Sequence, residues 1–240
     1  MLVSLTIIRY PKAHIFFALL AMAVFRLPLS LNKHISFYKL MGSGKNGSFD
    51  KNPDWQQWAI LSVPSTPPDL ESLGKHNSII RLYGSFINSW LKVFNCETWT
   101  LLLEPIEGHG AWDGKKPFGD LPKFTNYEGP VTVLTRATIR VSKLKAFWRN
   151  VPAVANQVPH AKGLLQSLGI GEIPFIKQAT VSTWQSRTAM KEFSYQMQQH
   201  KDVIRKTREG NWYKEEMFVR FKPLKTIGTL KGNDPLQGKL

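Results

Sequence analysis

The chain carries one long phrase twice. Residues 97–118 (ETWTLLLEPIEGHGAWDGKKPF) overlie residues 215–236 (EEMFVRFKPLKTIGTLKGNDPL) at a constant shift of 118, with no gap. Glu97 meets Glu215, Pro105 meets Pro223, Gly110 meets Gly228, Gly114 meets Gly232 and Pro117 meets Pro235. Leu101, Leu103 and Phe118 face Val219, Phe221 and Leu236. A repeat of this length requires two copies of a domain-sized unit. It divides the 240 residues into a first unit (1–107), a Gly- and Pro-rich linker (108–130) and a second unit with a C-terminal tail (131–240).

Each unit reads as the same string of elements. In the first, residues 3–9 alternate as a strand, and 13–26 make a helix that Pro28 stops. Strands follow at 35–41 and 55–63, then a helical region to about 93 and a strand at 97–106. GSGKNGSFDKNPD (42–54) reads as a flexible loop. In the second, strands are expected at 131–140, 164–170, 174–184 and 215–223, and helices at 142–157 and 186–208. A second echo sets Gly42-Ser43-Gly44 against Gly169-Ile170-Gly171. The order βαββαβ is the ferredoxin-like split βαβ. Its sheet has helices on one face only, so two tandem units cover each other's open faces. The expected fold is therefore α+β, two tandem ferredoxin-like units forming a dimeric-α/β-barrel-like whole. The cleft between sheet and helices suits a large apolar ligand.

Composition narrows the partners. The chain is 42% hydrophobic and 12% aromatic, which suits a packed core. Its 32 basic and 17 acidic residues leave a formal charge of +15, which favours a polyanion: nucleic acid or an anionic membrane surface. The single cysteine, Cys96, excludes an internal disulfide and suits a reducing compartment. The expected location is cytoplasmic, including the inner face of the membrane. The run HIFFALLAMAVF is too short to span a bilayer and lacks a following small-residue cleavage site, so 13–25 reads as a buried helix, with membrane association as the alternative.

Catalytic signatures are sparse. The letters GSGKNG at 42–47 are followed by a polar loop and another strand, not by the helix N-terminus that phosphate binding needs. There is no GxSxG, HExxH or Cys/His cluster, so hydrolytic chemistry and a structural zinc have no visible residues. Histidine is the better lead. His76 and His200 each begin the phrase His-x-x-x-Ile-Arg in the last helix of their unit. Such an imidazole can face a cleft and bind a metal or haem iron, or it can sit on a solvated helix face among polar neighbours. Arg136 and Arg140, at i and i+4 of one strand, share a face; they can meet haem propionates or simply solvent. In KLKAFWRN (143–150), Leu144, Phe147 and Trp148 form one apolar helical face, which reads as core rather than as a nucleic-acid stacking surface.

The longer phrases resemble a known family. GPVTVLTRATIRVSKLKAFWRNVPAV (129–154), GLLQSLGIGEIPFIKQATVSTW (163–184) and HKDVIRKTREGNWYKEEMFVRFKPLKTIGTLKGNDPL (200–236) are similar to spheroidene monooxygenases. So are FRLPL (25–29), FYKLMGSG (37–44) and WTLLLEPIEGHGAWDGKKPF (99–118); segments 10–24 and 64–98 match less clearly. The resemblance implies a haem-dependent monooxygenase acting on an acyclic carotenoid near its chain end (C-2), with O2 and reduced ferredoxin or a similar donor. It makes His200 the first choice of axial ligand and His76 the second; Arg136 and Arg140, from their spacing, are the candidate cofactor contacts. Cys96, at a strand start, is a poor thiolate ligand. Such a substrate has no polar handle at its reacting end, so oxidation there needs a cofactor's chemistry. The alternative is a haem-binding or haem-transfer protein on the same fold. No nucleic-acid partner is expected.

Overall fold

The computed structural model describes residues 1–74, 77–155, 157–196 and 209–240. The first unit contains β1 (Val3–Arg9), α1 (Ile15–Val24), α2 (Arg26–Leu31), β2 (Ile35–Gly44), β3 (Pro53–Pro64), α3 (Ser78–Tyr83), α4 (Ser85–Val93) and β4 (Glu97–Gly110). The second contains β5 (Val131–Ile139), α5 (Leu144–Ala155), β6 (Leu164–Ile173), β7 (Lys177–Trp184), α6 (Arg187–Gln196) and β8 (Tyr213–Gly228). The strands close into one antiparallel barrel in the order β1-β3-β2-β6-β7-β5-β8-β4. Each unit keeps the ferredoxin-like order, and the units join at two seams, β4–β8 and β2–β6.

The repeated phrase is the long seam. β4 and β8 pair from Trp99↔Gly228 to Gly110↔Met217, and the shift of 118 maps this register onto itself. The pseudo-two-fold axis passes through Glu104↔Lys222, the pair that maps onto itself. Pro105 and Pro223 sit beside the two register shifts, where a residue with no N–H interrupts no ladder bond. Past each strand the chain makes the same tight turn, closed by Trp112↔Lys115 in one copy and Leu230↔Asn233 in the other. Each turn caps the opposite strand. Asp113 and Gly114 donate backbone N–H bonds to Glu215 at 2.8 Å, and Lys231 and Gly232 donate to Glu97 at 2.8 and 2.6 Å. Both turns need positive φ, at Asp113 (52°) and Gly114 (73°), and at Lys231 (57°) and Gly232 (84°). Beyond them Phe118 and Leu236 fold back into the barrel core.

The short seam holds the other echo, in a different register. Gly42 pairs with Gly171, and Ser43 with Ile170. The structure therefore equates Gly42 with Gly171, not with Gly169. Glycine is required because backbones meet there: a Cβ on Gly44 or on Gly169 would strike the Ser48 carbonyl. The 42–54 segment is likewise partly strand, and its Phe49 stacks on Trp148 of the second unit, 5.6 Å between centroids and 18° between planes. Pro28 does not stop the first helix. It sits in the opening turn of α2, where its missing N–H costs no intrahelical bond.

The barrel interior is filled. Val3, Leu5, Ile7, Trp99, Leu101 and Leu103 from the first unit meet Leu134, Leu168, Ile170, Val219 and Phe221 from the second. A ligand must therefore sit outside the barrel, between a sheet and its helices.

Candidate functional site

The pseudo-two-fold axis allows the two sheet–helix layers to be compared residue by residue. In the first unit, pairing runs Leu40–Ile60–Thr6–Thr100–Ile227 across the helix-side face. The matching row in the second unit is Gly169–Thr180–Thr135–Phe218–His109. All five residues of the first row are buried, and Tyr83 covers its centre. The Tyr83 hydroxyl hydrogen-bonds Thr6 at 2.6 Å and Ser4 at 3.1 Å, and Thr6 in turn bonds Thr100 at 2.8 Å. Burial pushes the Tyr83 hydroxyl above its ordinary pKa, although those hydroxyl contacts oppose it; the phenol stays protonated. α1, α2, α3 and α4 and the sheet beneath them make one continuous apolar cluster.

Among the described residues the second row is less covered. Leu and Ile give way to Gly169, buried against Ser48 and Phe49, and to half-buried Thr180, and Thr135, at mid-strand, is exposed. Among the described residues the apolar layer falls into two clusters on either side of it. One gathers Val131, Val133, Trp184 and Met190, and the other Ile139, Phe147, Trp148 and Trp212. Phe218 forms part of the floor, with exposed His109 stacked on it at 5.8 Å. The expected apolar face of 143–150 thus packs as core around Phe147 and Trp148.

A buried ionic group borders this floor. Glu107, 1% exposed, pairs with Arg220 and with Arg187 at 3.1 Å and also accepts the Thr125 N–H at 2.8 Å. Burial alone would raise its carboxyl, but the Arg220 contact and charge, the Thr125 N–H and the Arg187 charge outweigh burial and hold it below its ordinary value. The Arg220 guanidinium lies 4.9 Å from the Phe218 ring centre. Two guanidiniums share one carboxylate, so the group is net cationic, and the Nε atoms of Arg187 and Arg220 are buried without an acceptor among the described residues. Across the axis, Leu102 and Lys225 hold the positions of Arg220 and Glu107.

The sequence candidates fall in separate places. His200 and His76 lie outside the described residues. Arg136 points into the end of the barrel, 1% exposed; it pairs with Glu215 and with Asp113 at 3.1 Å. Lys39 and Lys177 share Asp113, and Lys39 also reaches Glu172 at 2.8 Å. Burial opposes ionisation of Asp113, but Lys177 and Lys39 prevail and hold it at about 2. Arg140 lies beyond the end of β5, which stops at Ile139 after a register shift, and it is exposed. The two arginines therefore do not share a face. Cys96 packs beside Tyr10; burial pushes its thiol up to about 12 against the pull of the Tyr10 hydroxyl, so it is a neutral thiol. Among the described residues, no three His, Cys, Asp or Glu side chains gather as a metal site. The Glu107 group was missed because its members lie far apart in sequence. The visible signal was at matched repeat positions, where Arg220 replaces apolar Leu102 and Glu107 stands opposite Lys225.

Two fused ferredoxin-like units closing one barrel define a fused dimeric α/β-barrel protein. An aldoxime dehydratase solved with butyraldoxime shares this fold: TM-score 0.62 at 9% identity, covering 98% of this chain and 84% of that one. In sequence, no family model matches. The spheroidene monooxygenase of Rhodobacter capsulatus is 34% identical over 222 residues, 91% of this chain and 88% of its own length. That of Cereibacter sphaeroides is 35% identical over 201 residues, 83% of this chain, and the match spans 59% of that relative's length. The chain belongs to the spheroidene monooxygenase family.

Proposed function

We propose that this chain is a carotenoid monooxygenase whose substrate end and cofactor share the open cleft of the second unit. The observation that carries this reading is the family relationship across both units, at 34% identity over 91% of the chain. The substrate we propose is an acyclic carotenoid of the spheroidene type, oxidised near its chain end at C-2, with O2 as oxidant and reduced ferredoxin or a similar protein as electron source.

Haem is the cofactor we propose, with His200 as axial ligand; bound there, it supplies the oxygen activation that side chains cannot. The described residues fit such a group in shape and charge. The small side chains of Thr180 and Thr135 leave room for a flat apolar body over the sheet, beside the Gly169 end that the Ser48–Phe49 backbone closes. The surplus cation of Arg187 and Arg220 suits an acidic substituent at its rim. Arg136, already neutralised inside the barrel, is left out of this role. The chain's own work is then to bind and to exclude water. Phe218 and the flanking Trp184 and Trp148 clusters desolvate the substrate end. Thr135 offers a hydroxyl on the cleft floor, and Glu107 keeps the two guanidiniums in place.

The test combines a spectrum with a product. Purified protein supplied with haem is expected to show a Soret band that His200→Ala shifts or abolishes. With an acyclic carotenoid, O2 and reduced ferredoxin it is expected to yield an oxygenated carotenoid by chromatography. A Soret band with no oxygenated product under any donor would leave a haem-binding protein. No Soret band at all would overturn the haem assignment.

A further inference from the structure

The first unit has a filled cleft but an unusual outer surface. α1 is apolar all round, and α2 adds only Arg26 and Ser30 as polar side chains. One edge, Ala18, Ala21, Phe25 and Leu29, packs on the sheet. The opposite edge faces outward: Phe16 is 69% exposed, Leu27 65% and Leu31 69%, with Leu19 and Leu20 also exposed between them. A soluble helix normally carries charge on that side. The stripe is continuous with α4. Phe17 of α1 stacks on Phe94 just beyond α4 at 4.2 Å, and exposed Phe86 and Val93 flank that contact. α1 is thus buried along one edge only, where the sequence reads as a buried helix with membrane association as its alternative.

The charge on this surface has one sign. Residues 1–49 contain no Asp or Glu, and neither do residues 78–95. The exposed ionic groups among these helices are Lys12, Arg26, Arg81 and Lys92, with Lys33 following α2. An apolar stripe whose own helices carry cations and no carboxylate is how an interfacial helix meets anionic lipid; Asp69 and Glu71 lie in the turn beside Arg81, at the far end from α2.

We propose that the α1–α2–α4 face of the first unit docks on an anionic bilayer surface, with the stripe immersed in the headgroup boundary and the cations against lipid phosphates. The segment lies along the bilayer and does not cross it. Although 12–31 is long and apolar enough to span by length and composition alone, Ala18, Ala21, Phe25 and Leu29 tie it to the sheet. Pulling it out would expose Leu40 and Ile60 beneath. A second copy of the chain is a poorer occupant, because an isologous contact would set the same cations against each other. The face belongs to the unit whose cleft is filled, so lipid docking leaves the Thr135 row uncovered. The proposal deepens the carotenoid reading, since such a substrate resides in lipid, but its test needs no turnover.

The test is co-flotation of the whole protein with vesicles of phosphatidylcholine containing phosphatidylglycerol, against vesicles of phosphatidylcholine alone. Binding is expected to the anionic vesicles and to weaken as salt rises. The double variant Leu19→Glu/Leu27→Glu alters exposed positions and is expected to keep its circular dichroism and melting temperature. Its vesicle affinity should fall on the order of 100-fold or more. Lys12→Ser/Arg26→Ser should lose about five-fold per charge on anionic vesicles and little on neutral ones. Wild-type-like flotation of the folded Leu19→Glu/Leu27→Glu variant would overturn the proposal. So would failure of the wild type to float, or a wild-type dimer in sedimentation that the same variant dissolves. Failed flotation with intact carotenoid oxygenation would sink the docking face alone; flotation without product would sink only the activity.

Discussion

The two units share one topology and treat the same sheet position in opposite ways. Thr6 and Thr135 occupy equivalent sites, each at the centre of a row on the helix side of its sheet. Thr6 is fully buried under Tyr83, flanked by Leu40, Ile60 and Ile227. Thr135 is exposed, flanked by Gly169, Thr180 and His109. Duplication gave two containers; among the described residues one is filled and the other exposes the centre of its floor. A packed layer tolerates no added volume, whereas an open one does. Activity and stability are therefore separable by position. Changes in the first row should report on folding and changes in the second on ligand.

The largest contrast should come from placing one bulky residue at the two matched sites. Thr6→Trp forces an indole into a space already occupied by the Tyr83 ring and removes the hydroxyl that bonds Tyr83 and Thr100. No soluble folded protein is expected. Thr135→Trp adds the same volume to exposed floor. Its unfolding free energy should stay within about 0.5 kcal/mol of wild type, while carotenoid turnover falls on the order of 100-fold, about 2.7 kcal/mol of transition-state binding. Equal destabilisation in the two variants would break the comparison.

Next in size is Glu107→Gln. The change leaves Arg187 and Arg220 facing each other with no anion between them, at sites 4% and 18% exposed. Unpaired buried charge is expensive, so about 3 kcal/mol should be lost in urea unfolding at pH 7. The matched Lys225→Met in the first unit removes only bonds to the Leu70 and Leu73 carbonyls, and about 1 kcal/mol is expected. Between these two falls Tyr83→Phe, which keeps the ring but leaves the Ser4 hydroxyl with Ser62 and the Thr6 hydroxyl with Thr100; about 1–2 kcal/mol is expected.

Much of this architecture was legible in the sequence because a duplication leaves a long-range signal that local patterns lack. The phrase at 97–118 and 215–236 marked two units, though not that its copies pair with each other, and the strands fell close to their expected places. What escaped depends on contacts between distant residues. The Gly-x-Gly echo suggested one register and the backbone crossing another, because only paired strands show which glycines must meet. Arg136 and Arg140 looked equivalent by spacing, but the strand ends between them, and three barrel-end carboxylates, from Asp113, Glu172 and Glu215, claim the first. Pro28 read as a stop, yet position within a helix decides whether proline breaks it. The open cleft was not readable from either unit alone; it emerged from comparing matched rows.

The smallest predicted effect tests the symmetry itself. Burial raises the Glu97 carboxyl, but the Gly232 N–H, the Thr229 hydroxyl and the Lys231 N–H outweigh it and hold it below its ordinary value. Glu215 is lowered in the same way by the Gly114 and Asp113 N–H groups, after burial, with Arg136 added. A carboxyl lowered on folding stabilises above its unfolded pKa, about 4.3, and loses that contribution as pH falls through the folded value. Glu97→Gln should therefore cost about 1 kcal/mol at pH 7 and progressively less below about pH 4. Glu215→Gln should cost more at pH 7, because it also strips a partner from the buried Arg136. If thermal melts across that pH range gave the two variants equal losses, the turns would be interchangeable caps, and the barrel-end charges on the Arg136 side would add nothing to the fold.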